Sequence, residues 1–300
     1  MSLRPVAVLA ALVVVLTACS SGSPAASPST PARATSAPGS ASPASSASPA
    51  PPAPAHTVIV IMENHTYGEV IGSPQAPYLN QLARQGALFT DSRGVTHPSE
   101  PNYLALFSGS TQGVTDDSCP HRFSAANLGS ELIAAGKSFA GYSEDLPATG
   151  SVVCASGEYA RRHVPWTNFA NVPGADSKPF SAFPAGNYAR LPTVSFVIPN
   201  VCDDMHDCPV ARGDTWLKAH LSGYVSWAAA HDSLLIVTWD ENDESPGNQI
   251  PTIFVGPMVR SGRYGQPITH YSVLRTIEDL YRLPPLGNAA IASPISGIWK

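Results

Sequence analysis

TVIVIMENH, residues 57–65, is a strand-forming run that stops on an acid, an amide and an imidazole. Three further runs share its character: TVSFVIP (193–199), SLLIVTW (233–239) and TIFVG (252–256). A strand with one wet face alternates apolar and polar residues. These are apolar almost without interruption, as strands of a sheet covered on both sides are. ALFTDS (87–92) and SFAGYS (138–143) are weaker versions. Between them lie segments of helical spacing: PYLNQLARQG (77–86), NLGSELIAAG (127–136), DTWLKAHLSGYVSWAAAH (214–231) and YSVLRTIEDLYRL (271–283). Asp214 is expected to cap the third. The alternation predicts an α/β fold, a mostly parallel central sheet sandwiched by helices. Residues 144–190, rich in Gly, Pro, Asn and aromatics, read as an irregular insertion.

The residues just past the strands carry the chemistry, because open α/β sheets build their sites beyond the strands' carboxyl ends. The first run enters Glu63-Asn64-His65, the second Asn200 and CDDMHDC, and the third Asp240-Glu241-Asn242-Asp243-Glu244. Three strand ends thus deliver ligands to one edge. Glu63, Asn64, Asp240 and Glu241 are hard oxygen donors. They are expected to surround one divalent cation, of the Ca, Mg or Mn kind rather than zinc. For Asp203 and Asp204 a second cation and a solvated loop are both open. Trp216, Trp227 and Trp239 read as core residues.

THPSEPNYLALFSGS (96–110) supplies a nucleophile candidate. Pro101 suits the first turn of a helix, which places Ser99 at or just before a helix N-terminus. Free N–H groups and the helix dipole favour an anion there. A plain N-cap is the competing role for such a serine. A cation at the neighbouring strand ends would supply the activation that a serine hydroxyl lacks at neutral pH.

The ends of the chain are of different material. Residues 1–19, MSLRPVAVLAALVVVLTAC, read as a secretory signal peptide, and its Leu-Thr-Ala-Cys ending resembles a bacterial lipobox, with lipid attached at Cys19. Residues 20–55 are nearly all Ser, Ala, Pro, Gly and Thr, and read as a disordered Pro-rich tether. Residues 56–300 form the domain. An exported protein held to the extracytoplasmic face of a membrane by its N-terminal lipid is the expected address. Net charge is -5 with 17 Lys plus Arg and no basic run, which argues against nucleic acid as a partner. With Cys19 lipidated, four cysteines remain, an even number in an exported domain. Of the three possible connectivities, Cys119–Cys154 with Cys202–Cys208 is favoured, since the second pair closes a short Asp-rich loop.

HTVIVIMENHTYGEVIG, THPSEPNYLALFSGSTQGVTDD, PNVCDDMHD and LLIVTWDEND…IPTIFVGP together resemble the phosphoesterase family of acid phosphatases and phospholipases C, in the alkaline phosphatase superfamily. The resemblance spans about residues 56–285. It implies an alkaline-phosphatase-like fold and metal-assisted hydrolysis of phosphate monoesters through a covalent phosphoserine at Ser99; the short insertions, with no obvious lipid-binding domain, favour small soluble esters. It implies that Asn102 binds a phosphoryl oxygen and that the ENH and WDE motifs hold the metal. It further makes His206 and His163 substrate-side histidines with catalytic roles. His97 and His270 stand as substrate-side candidates, with turn-bracing and packing as their alternatives. One departure is Gln249, where many relatives have a histidine; this favours a single hard-metal site or a degraded activity. The alternatives are a phosphodiesterase of the phospholipase C kind and a non-enzymatic binding lipoprotein on the same scaffold. A Ser-His-Asp esterase is disfavoured, since no Gly-x-Ser-x-Gly elbow exists.

Overall fold

The computed structural model describes residues 53–300; the leader, Cys19 and the tether up to residue 52 lie outside the described residues. Twelve strands follow in chain order: β1 (Thr57–Met62), β2 (Ala87–Phe89), β3 (Ser92–Arg93), β4 (Phe139–Ser143), β5 (Ala155–Ser156), β6 (Tyr159–Ala160), β7 (Ser177–Pro179), β8 (Val194–Ile198), β9 (Leu234–Trp239), β10 (Thr252–Val255), β11 (Gly262–Tyr264) and β12 (Ile268–Thr269). The α-helices are α1 (Tyr67–Val70), α2 (Pro77–Gln85), α3 (Ser99–Ser108), α4 (Leu128–Ala134), α5 (Val210–Ala228) and α6 (His270–Tyr281).

Eight strands form one sheet in the order β11-β2-β10-β9-β1-β8-β4-β7. β1 is parallel to both β8 and β9, and β4 to both β8 and β7. β10 runs against both its neighbours, β9 and β2. The expected mostly parallel sheet is therefore present, with the TIFVG run as its antiparallel member.

The period-2 alternation of a strand sends neighbours to opposite faces, and each face has its own core. Ile59, Ile61, Phe196, Ile236 and Phe254 pack with α3, α4 and α6 through Phe107, Leu132 and Ile277. Val58, Val60, Val197, Leu235 and Val237 pack with α2 and α5 through Leu79, Leu82, Leu217 and Leu221. Both faces are thus dry, which is why the runs need no polar positions. The insertion is mostly short 3₁₀ turns, but it also contributes β7, the outer strand beside β4. Both expected disulfides are present, Cys119–Cys154 and Cys202–Cys208. The first ties the segment after α3 to the insertion.

Asp214 does not cap its own helix. α5 starts four residues earlier, at Val210 after Pro209, and Asp214 lies inside it. Pro209 holds the cap position with an extended backbone, φ −62° and ψ 153°, so the helix begins directly after it and Asp214 falls in its second turn. Asp214 instead accepts the N–H groups of Tyr78 at 3.1 Å and Leu79 at 2.7 Å. These belong to the first turn of α2, whose own cap residue Ala76 offers no side-chain acceptor. Asp214→Ala should therefore cost about 2 kcal/mol by urea denaturation, the scale of a lost charged cap, with kcat nearly unchanged.

Candidate active site

The parallel register of β1 and β9 pairs Met62 with Trp239, so Glu63 and Asp240 leave the sheet side by side. The Asp240 N–H donates to the Met62 carbonyl at 3.1 Å, and the Glu63 N–H donates to the Asp204 carbonyl at 2.9 Å. Three strand ends, those of β1, β8 and β9, are thereby stitched together. Glu63, Asp204, Asp240 and Glu241 are all buried.

Ser99 enters this cluster from α3. It is the first residue of the helix, with Pro98 as the cap residue. Its hydroxyl donates to Glu63 Oε2 at 3.1 Å and Glu241 Oε1 at 3.3 Å. Asn102 and Tyr103, three and four residues on, share its helix face. The Tyr103 hydroxyl donates to Glu63 Oε1. Asn102 Nδ2 lies 3.3 Å from Glu241 Oε2, but it also donates to the carbonyls of Thr96 and Pro98, while Oδ1 accepts the N–H groups of Val95 and Thr96. Asn102 therefore spends most of its amide on the turn that presents Ser99. His97 Nδ1 lies 2.7 Å from Glu241 Oε2 at the partly open side.

Burial raises the carboxyl groups of Glu63, Asp240 and Glu241 above the ordinary carboxylate range; the charge of Glu63 adds to this at Asp240 and Glu241, while at Glu63 the rise is opposed by His163 and aided by Asp204. Both Asp240 carboxylate oxygens and Asn64 Oδ1 are buried without a hydrogen-bond partner, and His163 Nε2 lies 3.2 Å from Glu63 Oε1. Clustered like charges with bare oxygen donors are what a hard divalent cation satisfies, so the residues fit one. Asn64 has a left-handed backbone, φ 35°, at the turn between β1 and α1. Glu63, His163 and His206 form a second, mixed donor group, with one ligand atom from each lying within 4.8 Å of the others.

His163 is fully buried, stacked on Tyr103 at 5.2 Å, and held to Asp204 Oδ2 through Nδ1 at 3.2 Å. Burial lowers its pKa to about 4, so it is neutral. His206 is part-exposed, held by Asp207 Oδ1 at 2.7 Å, with Arg162 Nη2 3.4 Å from its other nitrogen. His270 does not reach the open side. It is 1% exposed and donates through Nε2 to the Asp240 carbonyl at 2.5 Å. It supports the end of β9, which corrects the expectation that it binds substrate. Gln249, too, is turned to structure, donating to the Thr90 carbonyl at 2.7 Å. The solvated-loop alternative for Asp203 and Asp204 also fails, because both are buried: Asp203 pairs with Arg212, and Asp204 receives the His206 N–H. Among the described residues, sequence reasoning missed Tyr103 and Arg162. Tyr103 was signalled by its four-residue spacing from Ser99, Arg162 only by adjacency to His163.

The Phosphoesterase family model matches residues 72–284. A phosphatidylinositol-3-phosphatase of Mycobacterium tuberculosis is 56% identical over 247 residues, covering 82% of this chain and 83% of that protein. A probable acid phosphatase of Kluyveromyces lactis is 31% identical over 76% of this chain, which spans only 58% of that longer protein. A solved alkaline phosphatase superfamily protein of Vibrio parahaemolyticus superposes with a TM-score of 0.57 at 12% identity, over 82% of this chain and 72% of that one. That likeness bears on the fold, and the expected alkaline-phosphatase-like architecture is borne out.

Proposed function

The chain belongs to the Phosphoesterase family and is a hydrolase of phosphoric esters, and from that premise we propose that it cleaves phosphate monoesters through a covalent phosphoserine at Ser99. The observation that carries this is the Ser99 hydroxyl, set at the start of α3 between Glu63 Oε2 and Glu241 Oε1. Glu63, Asn64, Asp240 and Glu241 would hold one cation of the Ca, Mg or Mn kind. Bound there, it supplies Lewis-acid polarisation of the phosphoryl group and a lower pKa for the serine hydroxyl.

The remaining steps fall to the chain's own groups. As Ser99 Oγ bonds to phosphorus, its proton passes to the Glu241 carboxylate it touches, and the ester P–O bond breaks. His206, at the open rim, gives the leaving oxygen a proton, with Asp207 orienting its ring. Neutral His163 fixes Glu63 from behind. Asn102 Nδ2 reaches a phosphoryl oxygen only in exchange for one of its present acceptors. Water then attacks phosphorus and gives a proton to His206, the Ser99 Oγ–P bond breaks, Glu241 returns its proton to Ser99, and phosphate leaves. The substrates are phosphate monoesters, in keeping with the word phosphatase that the relatives' names share. A 3-phosphorylated inositol lipid is the member suggested by the mycobacterial relative's name. The lipobox-like Leu-Thr-Ala-Cys ending at Cys19 and the Pro-rich run after it support an address for this activity at the extracytoplasmic face of a membrane.

Hydrolysis of p-nitrophenyl phosphate and of its bis-ester, with chelator and metal add-back, tests the reading. The monoester is expected to be favoured by at least about tenfold in kcat/KM. Preference for the bis-ester would replace the reading with a phospholipase C-like diesterase. No turnover of either after add-back would leave the binding lipoprotein.

A further inference from the structure

We propose that Asn248 is a positioning residue, which locks the nucleophile's turn to the carboxylate loop; this rests on the assignment of Ser99 above. Asn248 lies in the loop between β9 and β10. Its Oδ1 accepts the Asn242 N–H at 2.9 Å, and its Nδ2 donates to the Thr96 carbonyl at 2.9 Å. The first contact fixes the loop that follows Asp240 and Glu241. The second fixes the segment that leads to Ser99, and Asn102 Nδ2 meets the same Thr96 carbonyl at 2.9 Å. One side-chain amide therefore spans the two halves of the site. Asparagine is the residue for this, because one end must accept an N–H and the other must donate to a carbonyl.

Two features show that the bracket is built in. Asn248 has φ 47°, a left-handed conformation that asparagine tolerates better than most residues. Opposite it, the Gly94 N–H donates to the Asn248 carbonyl at 2.9 Å, and a Cβ on Gly94 would lie 2.6 Å from Asn248 Nδ2. Only glycine at 94 leaves the amide its place.

The bracket sets the position of Ser99 Oγ against the carboxylates, so its loss should show in the rate of the chemical step. Two variants address it. Asn248→Gly accepts the left-handed backbone and removes only the amide; Gly94→Ala displaces the amide and keeps it. Steady-state kinetics on p-nitrophenyl phosphate would be read at a temperature where circular dichroism shows every variant folded. Each variant is expected to lower kcat by about 10- to 100-fold with KM within about threefold, the scale of a small misplacement of a reacting group. The double variant should be no worse than Asn248→Gly alone, since both act on one contact. Wild-type kcat in Asn248→Gly, or losses that multiply in the double variant, would overturn the proposal. Ser99→Ala, run alongside, separates the two readings. A dead Ser99→Ala beside a fully active Asn248→Gly overturns the bracket alone. A Ser99→Ala protein that still turns over removes the nucleophile and the bracket's purpose with it.

Discussion

Ser99→Ala is expected to lose turnover of phosphate monoesters by on the order of 10⁴-fold or more, since removing a nucleophile abolishes the covalent route. The fold should survive. The Ser99 hydroxyl donates only to Glu63 Oε2 and Glu241 Oε1, and no helix N–H depends on it, because the cap position belongs to Pro98. The stability change is accordingly about 1 kcal/mol or less, the worth of an ordinary hydrogen bond. Mass spectrometry of acid-quenched wild type should find phosphate on the Ser99 peptide and on no other. Near-native turnover in Ser99→Ala would end the assignment and the mechanism built on it.

The fold was legible because its strands are buried on both faces. Val58 to Met62 and Leu234 to Val237 had to be apolar throughout, so the runs stood out from the rest of the chain. Acids placed directly after such runs revealed the edge where Glu63 and Asp240 meet. Contacts made across the fold were not legible. Asp214 looks like a cap for the helix it sits in, yet its carboxylate serves α2. His270 looks like a substrate-side imidazole, yet it lies behind the Asp240 carbonyl. In both cases the residue type signals a hydrogen-bonding need, and only the packing decides which partner meets it. Asn248 belongs to the same class: an amide after an acidic loop reads as turn chemistry until Thr96 is seen opposite.

Stripping divalent cations with a chelator should cost on the order of 10³-fold in kcat, several kcal/mol of charge stabilisation, with recovery on add-back. It should also leave a signature in stability that activity alone cannot give. Glu63, Asp240 and Glu241 are raised by burial and by neighbouring carboxylates, Asp204 in the case of Glu63. A carboxyl raised in the folded state keeps a proton that the unfolded chain gives up from about pH 4.5. The unfolded state then binds fewer protons, so stability falls as pH climbs through the folded pKa. His163 and His270, lowered to about 4 by burial, act oppositely and only up to about pH 6.5, above which the unfolded chain no longer binds their protons. Between pH 6.5 and 8 the raised carboxyls are therefore left unopposed, and the metal-free protein should lose thermal stability across that interval. Glu100, raised to about 7, and Glu278, raised to about 8, contribute the same slope with or without metal. The cluster's share vanishes when a cation neutralises it, and cation affinity itself grows as protons leave. The gap in melting temperature between loaded and stripped protein should thus widen from pH 6.5 to pH 8, read by differential scanning fluorimetry with Mg, Ca and Mn in turn. A gap that stays constant with pH, or stripped protein with undiminished kcat, would remove the cation from the Glu63, Asp240 and Glu241 cluster.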